Sequence, residues 1–140
     1  MERRTFLKSS CSFCMAAGAG FFLGALSSCA SLPVYETSLN DSKVVVPLSL
    51  FAKGNVQIVR PAGFDFDIGL KKEANGSYTA LLLRCTHASN ALTYTGNSYV
   101  CSLHGSAFDK EGNVTHGPAR AALKRLSTQI TPDNIIILTN

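Results

Sequence analysis

Apolar and polar positions divide the chain into two regimes. Between Lys8 and Glu36 no charged residue occurs, and an apolar centre fills residues 13–26. From residue 43 onward the pattern is that of strands. Residues 44–46 and 48–51 are apolar runs broken by Pro47, which fits an edge strand or a bulge. Residues 55–59 alternate polar and apolar. Phe64, Phe66 and Ile68 alternate with Asp65, Asp67 and Gly69, the period of two that puts one set on a core face. Asn75-Gly76 predicts a two-residue hairpin turn with positive φ at both positions, and residues 78–84 return as the partner strand. Shorter extended pieces are predicted at residues 99–101, 108–109 and 113–115, with a turn at 110–112. Residues 127–131 and 134–138 form a closing hairpin across Pro132 and Asp133. Residues 119–126, preceded by Pro118, suit either a single helix or a loop. Without repeats or heptads, this pattern predicts an all-β domain, a small antiparallel barrel or sandwich.

Composition narrows the function. At 140 residues, with 46% hydrophobic and 16% charged positions, the chain has room for one folded domain and is neither disordered nor collagen-like. Of the formal charge of +4, Glu2, Arg3, Arg4 and Lys8 supply +2, leaving too little to support nucleic-acid binding. A basic head followed by an apolar body reads as an export signal. The order Arg3-Arg4-Thr5-Phe6-Leu7-Lys8 resembles a twin-arginine signal, which implies export of a protein already folded around a cofactor. Leu26-Ser27-Ser28-Cys29 resembles a lipobox, which implies cleavage before Cys29 and lipid on its sulfur. Lipidation is preferred to an uncleaved signal anchor because Gly18, Gly20, Gly24 and flanking serines dilute the apolar run. Residues 1–28 are thus expected to be the signal segment, 29–42 a tether and 43–140 the domain, held on the outer side of a membrane. Cys11 and Cys14 fall inside the signal and are assigned no chemistry.

Candidate chemistry lies in two boxes, Cys85-Thr86-His87 and Cys101-Ser102-Leu103-His104-Gly105-Ser106. Thiolates and neutral imidazoles are ligands that both zinc and iron favour, so a structural zinc site with two Cys and two His is one reading of these residues. Their order, together with Phe108-Asp109 and Gly117-Pro118-Ala119, resembles the Rieske iron-sulfur family over residues 43–140. That resemblance implies one two-iron two-sulfur cluster, with Cys85 and Cys101 on one iron and His87 and His104 on the other. Replacing two anionic thiolates by neutral imidazoles makes the cluster less negative and easier to reduce than a four-cysteine centre. It further implies that His87 and His104 face solvent, receive redox partners such as a cytochrome or an oxidoreductase large subunit, and couple electron uptake to proton uptake.

Departures from the respiratory branch of that family carry information. Asn90 and Leu103 stand where that branch has a disulfide, so the tie between loops cannot form here. Ser106 matches the serine whose hydroxyl bonds a cluster sulfide, while Phe108 replaces a tyrosine that bonds a cysteine sulfur. One tuning bond is kept and one lost, which predicts a potential in the lower or middle part of the Rieske range of about −150 to +300 mV. Ala88 replaces a shielding leucine, and Gly117-Pro118-Ala119 matches the proline loop over the cluster. The expected function is single-electron transfer, resembling the small subunit of arsenite oxidase or the Rieske subunit of a quinol-oxidising complex. The cytoplasmic ferredoxins of ring-hydroxylating dioxygenases are disfavoured by the export signal. The alternative from another class is a secreted domain stapled by zinc without redox activity. His116, the pairs Lys71-Lys72 and Lys124-Arg125, and Asp65 with Asp67 are read as solvated surface, and Tyr94 and Tyr99 as packing residues.

Overall fold

The computed structural model describes residues 33–140, so the signal segment, Cys11, Cys14 and the lipidation expected at Cys29 lie outside the described residues. Eleven strands form among the described residues: β1 (Val34–Asn40), β2 (Lys43–Pro47), β3 (Val56–Ala62), β4 (Ile68–Lys72), β5 (Tyr78–Leu82), β6 (Thr93–Tyr94), β7 (Tyr99–Val100), β8 (Ala107–Phe108), β9 (Val114–His116), β10 (Arg125–Ile130) and β11 (Asn134–Leu138). A single 3-10 turn spans Leu48–Ala52. Seven strands close a barrel in the order β1-β2-β11-β10-β5-β4-β3, and β6 to β9 make a four-stranded sheet. The all-β expectation holds, with one exception to its antiparallel pairing: β1 runs parallel to β3, from Val34 opposite Ile58 to Ser38 opposite Ala62.

That same strand corrects the expected tether. Residues 34–40 alternate between exposed and half-buried, and Tyr35 and Leu39 pack against the barrel core. Its inward face carries only two large apolar side chains, so the polar composition hides a strand held mainly by backbone pairing. Asp41 and Ser42 then turn the chain into β2 with φ of 48° and 59°. This pair forms the primed two-residue turn, because Asn40 lies directly opposite Lys43. At Asn75-Gly76 the expected two-residue turn gives way to a three-residue loop. Gly76 donates to the carbonyl of Glu73 and Ser77 closes the loop by accepting from the Glu73 N–H, with only Gly76 at positive φ.

Two further sequence expectations shift. Phe64 and Phe66 lie in a connection rather than a strand: Phe64 N–H donates to the Pro61 carbonyl across a turn with Gly63 at φ 84°, so pairing resumes only at Ile68. Residues 119–124 adopt no helix and lead directly into β10. The closing hairpin of β10 and β11 forms as expected, with Ile130 opposite Ile135.

Strand β5 explains how the site is mounted. Its apolar run is buried on both faces: Ala80 and Leu82 enter the barrel core with Val44, Val59 and Ile137, while Leu81 and Leu83 enter a second core with Cys85, Tyr99, Cys101 and Phe108. A fully buried leucine stabilises by about 1.5 to 3 kcal/mol, so the strand is fixed from both sides before the first box begins. Lys71 departs from the solvated reading. Its ammonium meets Glu73 at 3.2 Å and also Glu111, joining the β4–β5 hairpin to the 109–113 turn. The bond to Glu111 raises its pKa most, although a pair with one half-exposed partner contributes at most about 1 kcal/mol. Asp67 is held by a bidentate Arg60 at 2.9 and 2.8 Å, whereas Asp65 is exposed.

Candidate functional site

Each box occupies a loop of the same construction. After β5, Cys85 N–H donates to the Asn90 carbonyl at 2.8 Å and Ser89 N–H returns to the Cys85 carbonyl at 2.9 Å. After β7, Cys101 N–H donates to the Ser106 carbonyl at 2.8 Å and Gly105 N–H returns to the Cys101 carbonyl at 3.0 Å. The fourth residue after each cysteine takes positive φ, 54° at Ser89 and 78° at Gly105. Glycine enters that conformation freely, whereas Ser89 adopts it with its hydroxyl bonded by the Arg84 guanidinium at 2.6 Å. These tight loops turn the cysteines inward and the histidines outward.

The donors therefore sort by chemistry. Cys85 and Cys101 are each 1% exposed and both are free thiols. His87 and His104 are exposed, with ring centroids 5.0 Å apart at an interplanar angle of 79°. Burial alone would raise the Cys101 thiol. The N–H groups of Leu103 and His104, the Cys85 thiol and the Asn90 amide outweigh it and hold Cys101 below its usual value, favouring the anionic sulfur a metal needs. Among the described residues no three His, Cys, Asp or Glu side chains gather around a point where one ion could sit. The thiols pair with each other and the imidazoles pair with each other.

Surrounding residues close the buried side. Ser106 is 0% exposed, and its oxygen accepts the Ala119 N–H at 3.0 Å, leaving the hydroxyl proton for a second partner. That bond sets the expected proline loop, Gly117-Pro118-Ala119, against the second box. Thr86 donates to the Ala121 carbonyl at 2.6 Å, tying the first box to that same loop without a disulfide. Phe108 is fully buried in the second core and offers no hydroxyl. Leu103, at the position of the absent disulfide, is 55% exposed beside the histidines. His116 is exposed, and Tyr94 packs on Tyr99 with ring centroids 5.3 Å apart and the rings tilted by 46°.

Two contributors were not legible as site residues: Thr86, and Asn90, whose side-chain amide donates to the Cys101 sulfur at 3.8 Å. In the sequence Asn90 shows only as the residue at the absent disulfide position and by its offset, five residues after Cys85 as Ser106 is five after Cys101.

Comparison with known proteins agrees with this geometry. The Rieske [2Fe-2S] domain family matches residues 43–127. The cytochrome b6-f complex iron-sulfur subunit of Prochlorococcus marinus is 34% identical over 55 residues, covering 38% of this chain and 31% of that subunit. The corresponding subunit of Trichodesmium erythraeum is 32% identical over 54 residues, covering 37% of this chain and 30% of that subunit. The chain thus spans about a third of the length of the curated relatives it matches. Among solved structures, the cyanobacterial plasma membrane Rieske protein of Synechocystis PCC 6803 superposes with a TM-score of 0.54 at 23% identity, over 67% of this chain and 97% of that one. A chain from the complex of oxygenase and ferredoxin in carbazole 1,9a-dioxygenase gives 0.50 at 19% identity, over 71% and 95%. Buried thiols, paired imidazoles, a closed all-β fold and a family match over most of the chain lead to one conclusion: this protein belongs to the Rieske iron-sulfur family and carries one two-iron two-sulfur cluster of that type.

Proposed function

We propose that Cys85 and Cys101 hold one iron of the cluster and His87 and His104 the other, and that the protein passes single electrons outside the cytoplasm while tethered to a membrane. The observation that carries this reading is the sorting of four donors into a buried thiol pair and an exposed imidazole pair. When bound, the cluster supplies one-electron exchange. The chain's residues do the rest. Cys85 and Cys101 would offer their sulfurs from an apolar, water-excluding core, and Phe108 and Ala119 cover that side. His87 and His104 lie at the surface, where a partner can approach closely. Leu103 adds apolar contact area beside them.

The similarity to subunits of cytochrome b6-f complexes supports a cytochrome-containing partner complex over an isolated zinc module. The arginine pair and the segment ending at Cys29 support the tether. Protein matured in cells that build iron-sulfur centres is expected to be red-brown, to contain iron and acid-labile sulfide in equal amounts, and to give a rhombic resonance of low average g value when reduced. A colourless product with one zinc per chain and no sulfide would overturn the proposal. For the tether, mass spectrometry of membrane-extracted protein is expected to show an acylated N-terminal Cys29. Retention of residues 1–28 would replace the lipid with a signal anchor.

A further inference from the structure

Asn90 occupies a position the disulfide-bearing relatives use differently, and its side chain is not idle. One amide hydrogen of Nδ2 is directed to the Ala91 carbonyl at 3.4 Å and the other to the Cys101 sulfur at 3.8 Å. The opposite amide orientation would set an acceptor oxygen against a sulfur and a carbonyl, so this network fixes which end faces Cys101. The matched loops give the contact a counterpart: Asn90 and Ser106 are both the fifth residue after a cysteine, and both send their carbonyls back to that cysteine's N–H. Each also turns its side chain inward, Ser106 toward the proline loop and Asn90 across to the other box.

We propose that Asn90 is a positioning and tuning residue that donates a hydrogen bond across the two loops to the Cys101 sulfur, favouring the reduced cluster and offsetting part of the donor that Phe108 cannot supply. This rests on the ligand assignment proposed above. The physical basis is the sign of the charge change. Reduction adds one electron and no atom from Asn90. The negative charge on the thiolate grows, and a neutral N–H donor interacts more strongly with the more negative sulfur. A donor held in a tight loop is preorganised for that change, because its backbone carbonyl is itself locked by the Cys85 N–H.

The test uses the full-length protein with its cluster. Iron and sulfide content are measured first, so that failure of the ligand assignment, seen as no cluster in the wild type, is separated from failure of this proposal. In Asn90→Ala the equilibrium constant for one-electron reduction at an electrode is expected to fall roughly three- to tenfold, about 28 to 59 mV at about 59 mV per decade. Asn90→Asp, of the same size but with an acceptor-only carboxylate, is expected to fall further. Intact clusters with potentials unchanged from wild type in both variants would overturn the proposal. Should neither variant assemble a cluster, the wild type decides the matter. With 15N in the asparagine side-chain amides, pulsed EPR of the reduced protein is expected to show a 15N coupling, and its absence would overturn the proposal equally.

Discussion

Cys101→Ser protein is expected to emerge without colour, iron or acid-labile sulfide, while retaining the β-sheet circular dichroism of the wild type. A serine hydroxyl is a poor anion at neutral pH and a hard donor, so an iron otherwise bound by two thiolates loses one of them. The N–H groups of Leu103 and His104 and the amide of Asn90 that are directed at the Cys101 sulfur can still be accepted by the serine oxygen, so the apoprotein loop keeps its local bonding. Only the serine O–H proton is left without an acceptor, at 1% exposure among Leu83, Leu92 and Tyr99, a cost on the order of 1 kcal/mol. The barrel should survive this, since its own core of Val44, Val59, Ile68 and Ile137 includes no site residue. Urea unfolding followed beside metal content separates the two effects. A Cys101→Ser protein holding wild-type iron would show that the ligand set is wrong.

The second large effect is expected where the barrel meets the site. Gly69 on β4 lies against the ring of Tyr99, and a Cβ there would stand 2.6 Å from the Tyr99 oxygen, 3.0 Å from Cζ and 3.2 Å from Leu83 Cδ2. Gly69→Ala is therefore expected to lose about 1 to 3 kcal/mol by overpacking, because Tyr99 is wholly buried and cannot swing away. The Tyr99 hydroxyl also has no hydrogen-bond partner among the described residues. Burial raises its pKa, so it stays neutral and unpaired. Tyr99→Phe is expected to stabilise the protein by about 1 kcal/mol, removing a desolvated group that gains nothing. In the double variant the oxygen that the new methyl would strike is gone, so the two changes should be non-additive, with a favourable coupling of about 0.5 to 1 kcal/mol. Chemical denaturation of the four proteins checks this cycle. Destabilisation by Tyr99→Phe would mean that the hydroxyl has a partner, such as a bound water.

How far the sequence foretold these features depends on the distance over which each is determined. The strands of the closing hairpin, the double-sided run of β5 and the two Cys-His boxes are written in adjacent residues, where side-chain periodicity and loop residue type act locally. The same local signals misplace Phe64 and Phe66, because alternation persists through a turn that Gly63 imposes. They also mistake the loop at Asn75 for a two-residue turn with positive φ at both positions, while such a turn forms at Asp41-Ser42. Those two residues accept positive φ because the pairing of Asn40 with Lys43 demands it.

By itself, then, the sequence determined an all-β domain with two similar boxes of thiol and imidazole, since these follow from residue type and short spacing. Tertiary structure alone decided that residues 34–40 complete the barrel, that Lys71 bridges to Glu111, and that Asn90 reaches the Cys101 sulfur. Each of these joins positions far apart along the chain or on separate loops. Their contact depends on barrel closure and on the second core, which gathers residues of β5 and β7 from separate sheets and which no local pattern encodes.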